Sequence, residues 1–383
     1  MSPDKKLFAL VVILCLSFSE IYYVGHCRGY ESITLYVGGS GFGNYSSITQ
    51  ALDNATSNET IFVFHGIYHE NIKINSSISI IGENKESTFI DGTIEVVNAK
   101  YVTLHNLNIS AGRKQLDNYN SLSYTGLVLD SVSSSIIENC IISAAGDGIS
   151  CSNSNNISIL YNNLTKNSEA ILCDGIVNCL IEYNTIARNG AQGIDLSGRN
   201  NIVRWNTISH NIWGLTLSSS ANLIANNTFF MNRDGIDISA IRTMVLDVVH
   251  NTTRYVYSST NNTIYSNVFR KNNRSASDQG QNQWYNPVTL RGNYWDDYNG
   301  TDINGDGVGD EPYNISGGTN QDKFPLLLNN ISKPHPVENA SNDTNQTNSS
   351  PNINTKKIPV FTFTLFMLAA FIIIVSKKFR KKY

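Results

Sequence analysis

The chain has 383 residues, a formal net charge of −3 and only 15% charged residues, against about 25% in an ordinary soluble domain. Asparagine replaces the missing charge, with 50 Asn, while hydrophobic residues stay at 41%. This balance excludes a disordered chain and lacks the basic surface of a nucleic-acid binder, and six Cys without a CxxC pair exclude a zinc ribbon.

At the N-terminus, Lys5 and Lys6 precede an apolar run from Leu7 to Phe18. The pattern predicts a secretory signal over residues 1–29. Residues 30–328 then form the exported domain. Within it, the phrase Ser46–Asn54 (SSITQALDN) predicts a short helix with a Ser N-cap and apolar Ile48, Ala51 and Leu52. Such a helix would cover the open first coil of a solenoid, which otherwise exposes unpaired strand edges.

The central part of the chain is periodic. A Gly or Ala followed by alternating aliphatics recurs at Gly126, Gly148, Ala170, Gly193, Gly214 and Gly235, in steps of 22, 22, 23, 21 and 21 residues. A second phrase, Asn-x-apolar, recurs at Asn139, Asn162, Asn184, Asn206 and Asn227, and returns at Asn267 and Asn293. A third column, Ile136, Ile159, Ile181, Val203, Ile224 and Ile264, lies three residues before each Asn. Three short strands per repeat predict an all-β right-handed parallel β-helix of about ten coils of ~22 residues. Strand parity points the pairs Leu127/Leu129, Ile149/Cys151, Ile171/Cys173, Ile194/Leu196, Leu215/Leu217 and Ile236/Ile238 inward. Cys151 and Cys173 then stack in neighbouring coils, either as two buried thiols or as a disulfide, since the coil spacing falls within the allowed Cα range. The Asn column is expected to form a ladder of side-chain amides along the turns. The same parity places Tyr161, Tyr183 and Trp205 inward, as core; exposed, they would make a carbohydrate platform. Thr243–Ser259 breaks the period and predicts a lateral loop or hairpin.

The phrases Tyr36–Asp53 (YVGGSGFGNYSSITQALD), Thr60–Tyr68 (TIFVFHGIY) and Gly292–Tyr298 (GNYWDDY) resemble archaeal cell-surface proteins of the NosD-like family, over roughly residues 35–328. The resemblance implies a pectin-lyase-like β-helix. Family members are linked to copper delivery for nitrous oxide reductase, and related β-helices cleave or epimerise polysaccharides. Copper asks for clustered soft or imidazole ligands. Only His65 and His69 are close in sequence, and Met231 and Met244 are isolated, so the residues point away from copper.

Two constellations carry chemistry. On the outward column at Gly+2 lie Asp195, Thr216 and Asp237, with Asp147, Glu169, Trp213 and Asp234 just before the same strand. Asp195 and Asp237, two coils and roughly 10 Å apart, stand near the carboxylate separation of inverting glycosidases. They are candidate catalytic residues together with Asp234, and Trp213, Thr216, Asp147 and Glu169 are candidate carbohydrate contacts. The bland alternative is a solvated polar face. Further on, Asp302-Ile-Asn304-Gly-Asp306-Gly-Val308-Gly-Asp310 offers oxygen ligands at the spacing of a calcium loop, within a cap segment 302–313. Position 12 is Tyr313 rather than Glu, so the loop resembles compact dockerin-like or thrombospondin-like repeats. Tyr294, Trp295 and Phe324 are expected to plug the end of the helix.

Beyond residue 328 the composition changes. Residues 329–357 form an Asn/Ser/Thr-rich stalk that carries several of the chain's 18 Asn-x-Ser/Thr sequons. An uncharged run at 358–375 is long enough for a transmembrane helix, and 376–383 is a basic cytoplasmic tail. The expected protein is an extracellular, membrane-tethered β-helix that binds surface polysaccharide or neighbouring glycoproteins. The alternatives are a carbohydrate-active lyase, hydrolase or epimerase, and a copper-maturation protein.

Overall fold

The computed structural model describes residues 33–111, 125–238, 242–247, 252–257 and 259–327. The signal, the stalk, the transmembrane run and the basic tail lie outside them. Among the described residues no helix is long and apolar enough to cross a membrane.

The chain winds as a parallel β-solenoid of three sheets with 11, 10 and 9 strands, here called sheets A, B and C. One coil shows the plan: Ile136–Glu138 in sheet A, Ile141–Ser143 in sheet B and Asp147–Ser152 in sheet C. The next coil repeats it in register, with Ile137 beside Ile159, Ile142 beside Leu164 and Ile149 beside Ile171. A three-residue strand cannot bury its own apolar side chain. Stacking identical coils buries one inward residue per strand against its neighbours above and below. The expected inward pairs of sheet C are all 0–1% exposed.

Each corner is made the same way. One residue turns the chain in the left-handed region, and in the central coils a buried Asn comes next. At the A–B corner the turning residues are Asn139, Tyr161, Tyr183, Trp205 and Asn226, with φ of 52°, 55°, 57°, 58° and 57°. Behind them Asn162, Asn184, Asn206, Asn227, Asn267 and Asn293 form a continuous ladder. Asn184 is typical. Its Nδ2 donates to Ile159 O at 2.8 Å and to Asn206 Oδ1 at 3.0 Å. Its Oδ1 accepts from Asn162 N at 2.9 Å and Asn162 Nδ2 at 3.1 Å. Every polar atom of this buried amide is therefore satisfied. Parallel ladders run through Asn167, Asn189, Asn211, Asn232 and Asn272 at the B–C corner. Asn201, Asn222, Asn262 and Asn282 do the same at the C–A corner.

Two expectations shift by one residue. Asn139 is not in the ladder: it is the turning residue, and Cys140 N donates to Asn162 Oδ1 at 2.9 Å in its place. The inward residue of that coil is accordingly Ile137, not Ile136. Tyr161, Tyr183 and Trp205 are also corrected. They sit outside the core, Tyr161 being 44% exposed, because a left-handed corner residue breaks the alternation on which the parity argument rests. Their rings stack on one another at 4.9 and 6.3 Å, inclined by 7° and 12°.

Cys151 and Cys173 are adjacent and buried as expected, but as free thiols. In-register neighbours of a parallel pair keep their Cβ atoms about a strand spacing apart, whereas a disulfide draws them to ~3.8 Å.

Both ends are closed. The helix α1 (Ile48–Asn54) is capped by Ser47, whose side chain accepts from Gln50 N, and it buries Ile48 and Ala51. The Glu70 carboxylate accepts from Ile48 N at 2.8 Å and Thr49 N at 2.9 Å, where the helix dipole favours an anion. At the other end Phe229, Phe269, Trp295 and Tyr313 stack at 5.1, 4.4 and 4.2 Å. Trp295 plugs the core as expected, joined by Trp284. Tyr294 instead lies half-exposed under the Arg270 guanidinium at 5.2 Å, and Phe324 meets Tyr285 at 4.9 Å. Arg242–Asp247 and Thr252–Tyr257 form the expected antiparallel hairpin at the C–A corner.

Candidate functional site

The polar row foreseen along sheet C exists, on the outer face of the sheet. Hydrogen-bonded register sets Asp147 beside Glu169, Gln192 beside Trp213, Trp213 beside Asp234, and Asp234 beside Arg274. A second row runs Ser150, Leu172, Asp195, Thr216, Asp237 and Ser277. Each side chain sits on the pleat opposite a buried aliphatic, which is why sequence parity found it.

The two ends of the face differ in electrostatics. At one end Asp234 is a buried structural anion. Arg274 Nε donates to it at 2.8 Å and Arg233 Nε at 3.1 Å, and the Arg233 guanidinium also covers the Trp213 ring at 4.4 Å. Arg274 reaches Asp237 at 3.7 Å. Asp195 accepts from Thr216 Oγ1 at 2.7 Å, so Thr216 fills the gap between Asp195 and Asp237. The pair expected to flank a scissile bond is thus divided by a hydroxyl, and one member is ion-paired.

At the other end Asp147 and Glu169 lie side by side. Burial raises the Asp147 carboxyl above its usual range. Burial, followed by the charges of Asp147 and Asp195, raises Glu169. Glu169 Oε2 is buried and accepts no hydrogen bond from the protein. A buried acceptor without a donor is costly unless a ligand supplies one. The structure therefore brings Asp147, Glu169 and Asp195 together, and sets Asp234 and Asp237 apart in an arginine network. Arg274 was not foreseen; it lies one coil beyond the interrupting hairpin, where the period is lost.

The Asp302–Asp310 loop turns through Gly305 and Gly307, at φ of 71° and 80°. Its carboxylates satisfy backbone amides: Asp302 Oδ2 accepts from Gly307 N at 2.9 Å, Asp306 Oδ1 from Val308 N at 2.8 Å, and Asp310 Oδ2 from Ile303 N at 2.8 Å. Asn304 Oδ1 accepts from Asp306 N at 3.0 Å. Among the described residues no three His, Cys, Asp or Glu side chains converge as metal ligands.

Residues 52–257, more than half of the chain, match the family described as periplasmic copper-binding protein (NosD). The chain belongs to the NosD family. No curated protein matches it. Solved structures share the solenoid at low identity. An alginate lyase from Paenibacillus sp. str. FPU-7 has 16% identity and a TM-score of 0.45, covering 64% of this chain and 93% of that one. The pectate lyase Pel9A has 12% identity and a TM-score of 0.47, with 70% and 75% covered. A pectin methylesterase from Aspergillus niger has 17% identity and a TM-score of 0.40, with 60% and 84% covered. These likenesses concern the fold alone.

The described residues of this NosD-family chain do not fit copper. His65 and His69 each face a carboxylate, Glu83 at 2.9 Å and Asp91 at 2.6 Å. The cysteines are core residues: burial pushes Cys140 and Cys151 up to about 12 and raises Cys173 well above the usual thiol range, so their thiols stay protonated. Met231 is exposed on a corner.

Proposed function

We propose that this NosD-family solenoid works outside the cell as a polysaccharide-binding protein, holding an extended chain along the outer face of sheet C. The single observation that carries the reading is Glu169 Oε2, a buried acceptor with no protein donor, on an open face lined by polar groups in successive coils. A sugar hydroxyl is the donor it lacks, and a chain laid along the solenoid axis meets Asp147, Glu169, Asp195 and Trp213 in turn. The periplasmic description of the family supports the compartment. The uncharged run at 358–375 and the basic tail support a single-pass tether with the C-terminus inside. Affinity electrophoresis against soluble polysaccharides tests the reading. Glu169→Ala is expected to weaken retention about 3–10-fold, the value of one buried hydrogen bond. Retention equal to wild type would remove Glu169 from the site.

A structural calcium at Asp302–Asp310 belongs to the same proposal. It is supported by the all-oxygen donor set and its spacing. Millimolar calcium is then expected to raise the thermal midpoint and EDTA to reverse the rise, with Asp306→Ala abolishing both. A midpoint indifferent to EDTA makes the segment a metal-free turn.

A further inference from the structure

Asparagine serves two separate purposes in this chain. The 15 Asn of the three ladders are never followed two residues on by Ser or Thr, so all 18 Asn-x-Ser/Thr sequons fall on the other 35 Asn. Ser and Thr make up 68 of the 383 residues, and 50 Asn placed without regard to them would give about nine sequons. The chain holds twice that number. Twelve of the acceptors lie among the described residues, and nine of these are exposed. Their amides differ from those of the ladders. Asn184 Nδ2 is buried and committed to Ile159 O, Glu182 O and Asn206 Oδ1 at 2.8, 3.1 and 3.0 Å. Asn156 Nδ2 lies at the surface and donates to Asn155 Oδ1 at 3.3 Å. The left-handed C–A corner presents Asn156 and Asn261, at φ of 53° and 58°, and Asn163 opens a strand of sheet B. Their third residues, Ser158, Thr165 and Thr263, are half-buried and keep part of their surface in water. The sequon of Asn273, at the B–C corner, differs, because its Ser275 lies in a strand of sheet C and is buried. No strand of sheet C contains Asn, while both other sheets do.

We propose that Asn156, Asn163 and Asn261 are N-glycosylated on the folded solenoid, so that oligosaccharides cover the C–A corner and sheet B and leave the outer face of sheet C bare. The co-reactant is a lipid-phosphate-linked oligosaccharide. The amide Nδ2 attacks its anomeric carbon, a C–N bond forms, the C–O bond to the phosphate breaks, and the displaced amide proton goes to the departing lipid phosphate. The hydroxyl two residues on is the feature that marks the acceptor. A glycan at these exposed positions displaces no packed side chain, whereas one on Asn184 would break a ladder. The modification stands independently of the polysaccharide reading. The bare face deepens that reading, because a polymer lies along sheet C only where no attached oligosaccharide occupies it.

The test takes the whole protein from its source cells and reads glycopeptide masses. Expected are sugar additions on Asn156, Asn163 and Asn261 and none on Asn273. Thr165→Ala, which keeps Asn163, should remove the addition there, and Asn261→Gln the one at the corner, with the circular dichroism unchanged. Unmodified Asn156, Asn163 and Asn261 overturn the inference. A glycan on Asn273 overturns selection by the folded surface. An Asn156→Gln/Asn163→Gln/Asn261→Gln variant should be retained on polysaccharide as wild type is. A rise in its retention above about threefold would mean that the glycans reach sheet C, and overturns the bare face. Sugar additions at the three sites with no retention of either form support the inference and remove the polysaccharide reading.

Discussion

At the residue scale the molecule depends on a side-chain amide that is never left half-satisfied. The Asn184 amide donates three hydrogen bonds and accepts two while buried, so Asn184→Ala removes partners from Asn162 N, Asn162 Nδ2 and Ile159 O at once. The expected cost is about 2–4 kcal/mol in urea unfolding, several times that of an exposed Asn such as Asn200. The ladders also have direction. Each Nδ2 donates toward the C-terminal neighbour, so the last rung needs an acceptor, and two ladders end on a carboxylate. Asn293 N donates to Asp322 Oδ2 at 2.6 Å, and Asn282 Nδ2 donates to Asp278 Oδ1 at 3.0 Å. Burial drives Asp322 up to about 6 even against these donors. Its folded pKa thus lies above the unfolded value of 3.8. Between pH 4 and 6 the unfolded chain has lost a proton that the folded state keeps. Stability therefore falls across that window, by about 3 kcal/mol for this group, and is level above it. Unfolding midpoints at pH 4.5 and 7.5 measure the effect; Asp322→Asn should shrink the difference, and an unchanged difference would sink the assignment.

At the element scale each three-residue strand is stable only because of its neighbours in adjacent coils. Among the described residues the hairpin of Arg242–Asp247 and Thr252–Tyr257 pairs only with itself. The solenoid passes it by: Asn222 Nδ2 bonds Asn262 Oδ1 at 3.1 Å across the insertion. Replacing residues 239–258 with a two-residue corner is therefore expected to leave the thermal midpoint and β-sheet signal near wild type; a large loss would mean that the hairpin braces the C–A corner. The Gly column behaves oppositely. A Cβ on Gly214 would lie 2.4 Å from Gly235 O and 2.9 Å from Phe229 Cδ1. Gly214→Ala must push two coils apart, at about 1–3 kcal/mol. The period alone marked that glycine; the reason is the close approach of the next coil's backbone.

At the scale of the whole molecule, stability is a sum over coils and their interfaces. Excising one complete repeat, residues 185–206, joins Asn184 to Thr207 and restores the ladder with Asn227 as the next rung. The shortened chain is expected to fold with the same spectrum and a modestly lower midpoint. Excising eleven residues instead puts a turn where a strand must pair and should prevent folding. Which residues repeat, which pairs point inward and where the period breaks were all legible in the amino-acid order, because strand alternation and coil length are local properties. The same order displayed Asp147, Glu169, Asp195, Asp234 and Asp237 as one acidic strip. Only the tertiary structure divided that strip into a half-buried carboxyl pair and an arginine-bound network, since Arg274 arrives from 40 residues away. Likewise the sequence marked Tyr161, Tyr183 and Trp205 as a column, and only the left-handed corner backbone turned them outward. Repetition is written in the order of residues. The direction of a side chain at a corner, and the partner a charge finds there, depend on how coils distant in sequence are stacked.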